Sequence, residues 1–217
     1  MKGDVLVVED DHRRAAGLIA SALEDAVREK VGRFVITVAG ESGCGKSETA
    51  AALAERLRQD GIGSVILGMD DYFALPPRSN DARRRADPEW LGPHVEVRLD
   101  LLQSNIDAAL AGASAIEKPV IDYGADTMST EILGLDGVKV VIVEGTYVSL
   151  LRHVDRRVFI ARNRLETLEH RRKRNRGKET RDPFVESVLA IEHTIIAGHR
   201  HLADFVVTRN FDVVRVD

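Results

Sequence analysis

The sequence predicts an α/β fold, a doubly wound and mainly parallel sheet organised around a phosphate-binding loop. Three observations predict it. From Arg33 onward, short β-branched apolar runs alternate with segments of helical period, as expected for a parallel sheet covered on both faces. The run Gly40-x4-Gly45-Lys46-Ser47 joins the first strand to a helix, the context a Walker A loop requires. Two further apolar runs end in acids, Asp70 and Glu144, and ligands of open parallel sheets gather at the carboxyl ends of strands.

The chain has 217 residues, which suits one domain with a small appendage, and a formal net charge of −4. That charge argues against a general nucleic-acid binder, so nucleic acid is not an expected partner. No apolar run approaches the ~20 residues of a membrane helix, and no signal peptide is read. The single cysteine, Cys44, excludes an intramolecular disulfide framework and fits a reducing, cytoplasmic compartment.

Residues 1–31 are expected to form an N-terminal extension, a short strand over Val5 to Val8 and a helix from His12 to about Lys30. Leu18, Ile19, Ala22, Leu23, Ala26 and Val27 share one face of that helix. The opening Val5-Leu6-Val7-Val8-Glu9-Asp10-Asp11 resembles the start of a receiver domain. A receiver needs about a hundred residues and the phosphate loop intervenes too soon, so the segment is read as packed on the core or used in a dimer contact.

Residues 32–217 form the expected P-loop domain. Phe34 to Ala39 reads as a buried strand, Ser47 to Gln59 as a helix closed by Gly61, and Ser64 to Met69 as the next strand. An insertion over about 74–95 holds four prolines and clustered arginines and reads as loop-rich. Val97 to Ala111 is a predicted helix, Lys139 to Val143 and Arg157 to Ile160 are strands, and a lid spans about 162–181 with a helix from Leu165 to Arg174. Phe184 to His201 is the last helix and Phe205 to Thr208 the last strand.

The chemistry follows from these placements. Glycines let the loop Gly40-Glu41-Ser42-Gly43-Cys44-Gly45-Lys46-Ser47-Glu48 turn its N–H groups toward phosphate oxygens, and the helix behind it presents its positive end. Lys46 is expected on the β- and γ-phosphates and the Ser47 hydroxyl on magnesium. Glu144, at the tip of Val140 to Val143, fits the Walker B role, holding magnesium through water. Asp70, at its own strand tip, can accept a proton from an attacking hydroxyl. Asp71 either joins it or caps a turn. The arginines between Arg162 and Arg181 suit a lid that offers forked donors to the transferring phosphoryl group. Arg78, Arg83, Arg84 and Arg85 either bind an anionic substrate or lie on solvated surface.

Together these motifs resemble the uridine kinase and phosphoribulokinase family. The resemblance runs from about Phe34 to Val207 and rests on the P-loop, on Asp70-Asp71-Tyr72-Phe73, on Pro119-Val120-Ile121-Asp122-Tyr123, on Glu144-Gly145 and on the arginine-rich lid. It implies a nucleoside- or sugar-kinase-like P-loop fold that uses ATP and Mg2+. It makes Asp70 the base, and Asp70, Tyr72, Asp87, Asp122 and Tyr123 contacts of the acceptor. Arg171 and Arg176 fall on the lid arginines that reach phosphates. The family's relatives are commonly multimeric, so a homo-oligomer is allowed. Ile121 stands where the family's pattern has Tyr, and Gly124 to Thr127 carry neither the His nor the Arg of a pyrimidine pocket. The leading expectation is therefore an ATP-dependent kinase that phosphorylates a hydroxyl of a nucleoside, sugar or sugar phosphate. The alternative is a regulatory P-loop ATPase or switch without a small-molecule acceptor; a nucleic-acid end kinase is disfavoured by the acidic charge.

Overall fold

A computed structural model of the chain describes residues 6–163, 166 and 182–216. The expected lid helix and the candidate residues Arg171 and Arg176 lie outside the described residues. Among the described residues, the main sheet has six strands in the order β2-β5-β1-β6-β7-β8. These are β1 (Phe34–Gly40), β2 (Ser64–Gly68), β5 (Val140–Gly145), β6 (Arg156–Ile160), β7 (Phe205–Val207) and β8 (Val213–Arg215). The first five strands in that order run parallel, and β8 pairs antiparallel with β7 as an edge the sequence did not announce.

Alternation along the strands divides the core into two layers. Phe34, Ile36 and Val38 of β1, with Val140, Ile142, Val158 and Ile160, face one layer. Helices α1 (Asp10–Glu29) and α2 (Lys46–Gln59) cover it. Val35, Ala39, Val141, Val143 and Phe159 face the other, under α4 (Leu99–Leu110) and α5 (Pro183–Ala197). Both faces of the central strands are therefore apolar, which is why β1 and β5 read as continuous hydrophobic runs.

Two expectations needed correction, and one hairpin was not foreseen. Residues 6–9 form no strand: Glu9 adopts an extended conformation and caps α1 through a reciprocal pair with His12, so the chain turns into the helix at once. The insertion is not mainly loop. Pro77 starts α3 (Pro77–Ala86), because proline at the first helical position loses no hydrogen bond, and the Arg83–Asp87 and Arg85–Asp81 pairs brace its exposed side. Ala115–Asp122 (β3) and Thr127–Gly134 (β4) form a separate antiparallel hairpin.

Helix α1 packs against the sheet as part of the core. Ala15, Ala16, Ile19, Leu23 and Val27 are buried in the same layer as β1 and α2. Lys30, just past its end, pairs with Asp155, whose other role is to accept the Val35 N–H at 2.7 Å. Ile19 is fully buried, so Ile19→Ala should cost about 2–5 kcal/mol of unfolding free energy, read by denaturant titration.

Candidate active site

The phosphate loop connects β1 to α2, and its shape depends on a missing side chain. At Gly40, φ is +151°, and a Cβ there would stand 2.7 Å from Cys44 Sγ and 2.9 Å from the Ile160 carbonyl oxygen. Cys44 points inward and is fully buried, and burial pushes its thiol pKa up. It is thus a core residue contributing only backbone to the loop, and the oxidation-prone thiolate chemistry of exposed cysteines does not apply. Glu48, in the first turn of α2, is likewise buried. Lys46 donates from Nζ to the Glu41 carbonyl oxygen at 2.9 Å, which folds the loop's cation over the loop itself.

Ser47 and Glu144 meet across the top of the sheet. The Ser47 hydroxyl donates to Glu144 Oε2 at 3.1 Å. Glu144 is buried, and burial pushes its carboxyl up to about 7; Asp70 adds to the rise while Lys46 and Ser47 oppose it. A buried acid with so little compensating positive charge is a fitting neighbour for a cation. Ser47 and Glu144 suit magnesium, which takes one or two protein oxygens and completes its shell with phosphates and water. Among the described residues no group of three or more His, Cys, Asp or Glu is placed to hold a metal ion by itself.

Asp70 reaches this place because Gly145 lets two strand tips touch. A Cβ on Gly145 would lie 2.3 Å from Met69 Cβ, and the Tyr147 N–H contacts Met69 Sδ at 3.4 Å. The short 3-10 turn Met69–Tyr72 therefore packs directly against the end of β5, with Asp70 half-buried beside Glu144. Its neighbours face elsewhere. Asp71 is buried against Lys118 at 3.0 Å and accepts the Ile121 N–H at 3.1 Å, tying the β3–β4 hairpin to the turn. Tyr72 is fully buried, its hydroxyl accepts from Asn105 at 2.8 Å, and burial pushes its pKa up to about 12.

The other expected acceptor contacts serve local structure. Asp87 accepts from the Glu89 N–H at 3.1 Å and from Arg83 at 3.0 Å, closing α3 and opening the turn Pro88–Trp90. Asp122 accepts from the Ala125 N–H at 2.9 Å and shapes the hairpin turn, in which Tyr123 is half-buried. The structure thus brings Lys46, Ser47, Asp70 and Glu144 together, while Tyr72, Asp87 and Asp122 make hydrogen bonds within the protein.

A second polar group beside these was not anticipated. Arg84 donates to buried Glu96 at 2.7 Å and lies 3.7 Å from Glu192 on α5. Glu96 also accepts from Asn80 and from the Gly92 N–H, and Asn80 accepts from Trp90 Nε1. Burial pushes the Glu192 carboxyl up to about 7; Arg84 opposes the rise, Glu96 adds to it, Lys46 opposes and Asp70 adds. One residue on, His193 pairs with Glu41 of the phosphate loop at 2.6 Å. Burial, then Glu192 and Glu96, also push the Tyr147 hydroxyl above its usual range, with Arg84 opposing. The sequence held one usable signal: Val188, Leu189, Glu192 and Ile196 form the buried face of α5, and an acid on such a face needs a reason.

Comparison with known proteins agrees with this geometry. The model of the Phosphoribulokinase / Uridine kinase family matches residues 35–208. The chain belongs to that family. It is 29% identical over 192 residues to the bifunctional alpha-galactosidase/sucrose kinase AgaSK of Mediterraneibacter gnavus, covering 83% of this chain and 20% of that protein. It therefore spans about a fifth of that relative. With the uridine kinase of Leuconostoc citreum it shares 26% over 188 residues, covering 80% and 86% of the two chains. The solved structure of a possible uridine kinase from Bacillus stearothermophilus superposes with a TM-score of 0.65 at 18% identity, covering 89% and 97%, and so shares the fold. As a phosphoribulokinase / uridine kinase family member the chain is a P-loop kinase acting on a small metabolite, and the regulatory-switch alternative finds no support.

Two outcomes follow from the geometry. Gly145→Ala should push Met69 away from β5 and displace Asp70, lowering kcat at least about tenfold while nucleotide affinity, measured by calorimetry, changes little. Glu192, facing Arg84, Glu96, Lys46 and Asp70, holds its proton in the folded state up to about pH 7 and loses it near the ordinary carboxyl range when unfolded. The folded state therefore binds more protons, and stability falls as pH rises through this window. Unfolding free energy measured at pH 5 and pH 8 should show Glu192→Gln flattening that fall by on the order of 2–3 kcal/mol.

Proposed function

We propose that this chain transfers the γ-phosphoryl group of ATP to a hydroxyl of a small metabolite, with Asp70 taking the hydroxyl's proton. The observation that carries the reading is the meeting of the β2 and β5 tips beside the phosphate loop, where Asp70 and Glu144 lie close enough to perturb one another. A phosphate loop alone supports binding; a carboxylate held next to it supports an acceptor.

The loop amides between residues 40 and 47 hold the β- and γ-phosphates, with the positive end of α2 behind them. Lys46 adds its charge from within the loop. Bound Mg2+ would offset charge on the β- and γ-oxygens, and Ser47 and Glu144 are the residues that would hold it. Asp70 orients the acceptor hydroxyl and accepts its proton as the acceptor oxygen bonds to the γ-phosphorus. The bond from that phosphorus to the β–γ bridging oxygen breaks, and ADP carries the electron pair away. We assign Arg171 and Arg176 to the γ-phosphate by their place in the lid sequence.

A sugar or nucleoside hydroxyl is the acceptor we assign, since the named relatives are a sucrose kinase and uridine kinases. Ile121 standing where the family's pattern has Tyr, with neither His nor Arg over Gly124 to Thr127, supports a sugar over a pyrimidine nucleoside. We place the protein in the cytoplasm, on its lone and buried cysteine. Asp70→Asn should lower kcat by about 10²–10⁴-fold, the usual contribution of a positioned base, while the Kd for ATP stays within about threefold. Turnover at the wild-type rate by that variant would remove Asp70 from the mechanism.

A further inference from the structure

We propose that His12, on the N-terminal helix α1, is a positioning residue for ATP, holding the phosphate loop in shape at Gly45. This role rests on the reading above that residues 40–47 seat the triphosphate, and it gives part of that work to segments outside the family match. The family model matches residues 35–208, and neither α1 nor Phe211 falls within them.

Gly45 ends the loop with φ at +100°, immediately before α2. A Cβ on Gly45 would stand 2.8 Å from His12 Nε2 and 3.7 Å from Phe211 Cε1. The imidazole and the phenyl edge therefore lie directly against the last turn of the loop. His12 is 1% exposed and Phe211 is buried, so both support the loop from the protein side and leave its open side to the ligand. Amides that must converge on a phosphate bind it more tightly when their shape is held before the ligand arrives.

The imidazole is itself fixed from two directions. Nδ1 accepts the Glu9 N–H at 3.0 Å, which leaves the hydrogen of the neutral ring on Nε2, the atom nearest Gly45. Phe211 meets the imidazole edge-on, with centroids 4.8 Å apart and planes at 77°. Phe211 has φ at +61°, a conformation that costs a residue with a Cβ and persists where packing holds it. Arg14, also on α1, pairs with Asp212 at 3.2 Å and donates to the Asn210 carbonyl oxygen, which fastens that turn to the helix. Phe211 in turn carries the Arg162 guanidinium 4.9 Å from its ring centroid. His12 thus supports the loop directly and, through Phe211, a cation just past the end of β6.

The test is ATP binding to the full chain, measured by calorimetry in excess Mg2+, which needs no acceptor. Two variants separate support of the loop from capping of α1. His12→Asn keeps an oxygen to accept the Glu9 N–H and is too short to reach Gly45, whereas His12→Gln extends an amide to the depth of Nε2. His12→Asn should raise the Kd for ATP by about tenfold or more, and His12→Gln should stay within about threefold of the wild type. Phe211→Leu carries the same test should His12→Asn not fold, with a smaller rise in Kd. His12→Asn binding ATP as well as His12→Gln or better, the order that capping alone predicts, overturns the inference and leaves the phosphate loop in place. A folded wild-type chain that binds no ATP overturns the phosphate-loop reading itself, and the inference with it.

Discussion

The parallel pairing of β1 with β5 is the constraint on which the rest depends. Its register sets Val38 beside Glu144 and Ala39 beside Gly145, so the strand that launches the phosphate loop ends next to the strand that ends in an acid. The Ser47 hydroxyl then meets the Glu144 carboxylate without either side chain stretching. β2 lies on the far side of β5 in register, with Gly68 opposite Glu144, which brings Met69 and Asp70 over the same edge. A slip of one residue would turn Glu144 into the apolar layer and place a valine at the site. The two-layer core prevents that slip, because each strand's alternate side chains are committed to opposite helices.

The electrostatics follow from this geometry. Acids collected at the tips of buried strands cannot all be ionised cheaply in the free protein, and both Glu144 and Glu192 are pushed up to about 7. The free site is therefore unfavourable to itself and favourable to cations and to hydrogen-bonding ligands. That is a form of preorganisation: the cost of gathering the carboxylates is met by folding of the core, before any substrate arrives. Helix α5 ties Arg84 of α3 to the phosphate loop through adjacent residues, Glu192 and His193.

Some of this was legible in the sequence because it is local. The phosphate loop declares itself through glycines at fixed spacing, and Asp70 and Glu144 follow from where parallel strands end. What was not legible depends on distant partners. Tyr72 follows Asp70 within a shared motif, yet a single turn sends its ring into the core and leaves Asp70 half-buried. The β3–β4 hairpin was hidden because β4 is almost wholly exposed and shows no alternation, while β3 buries Lys118, a residue that periodicity assigns to solvent. Asp71, far away in the chain, and Glu131 on the facing strand make that burial tolerable. Glu192 is the same case: an acid on an apolar helix face acquires meaning once Arg84 is opposite it. The insertion's prolines suggested loops, and one of them instead began a helix.

The most direct test of the account is a crystal structure with Mn2+ and a non-hydrolysable ATP analogue, using the anomalous signal of manganese to locate the metal. The account predicts one metal peak within about 2.0–2.4 Å of Ser47 Oγ, bridging the β- and γ-phosphates, with Glu144 in its first or water-mediated shell. A nucleotide bound with its metal away from Ser47 and Glu144, or a triphosphate seated outside residues 40–47, would contradict it.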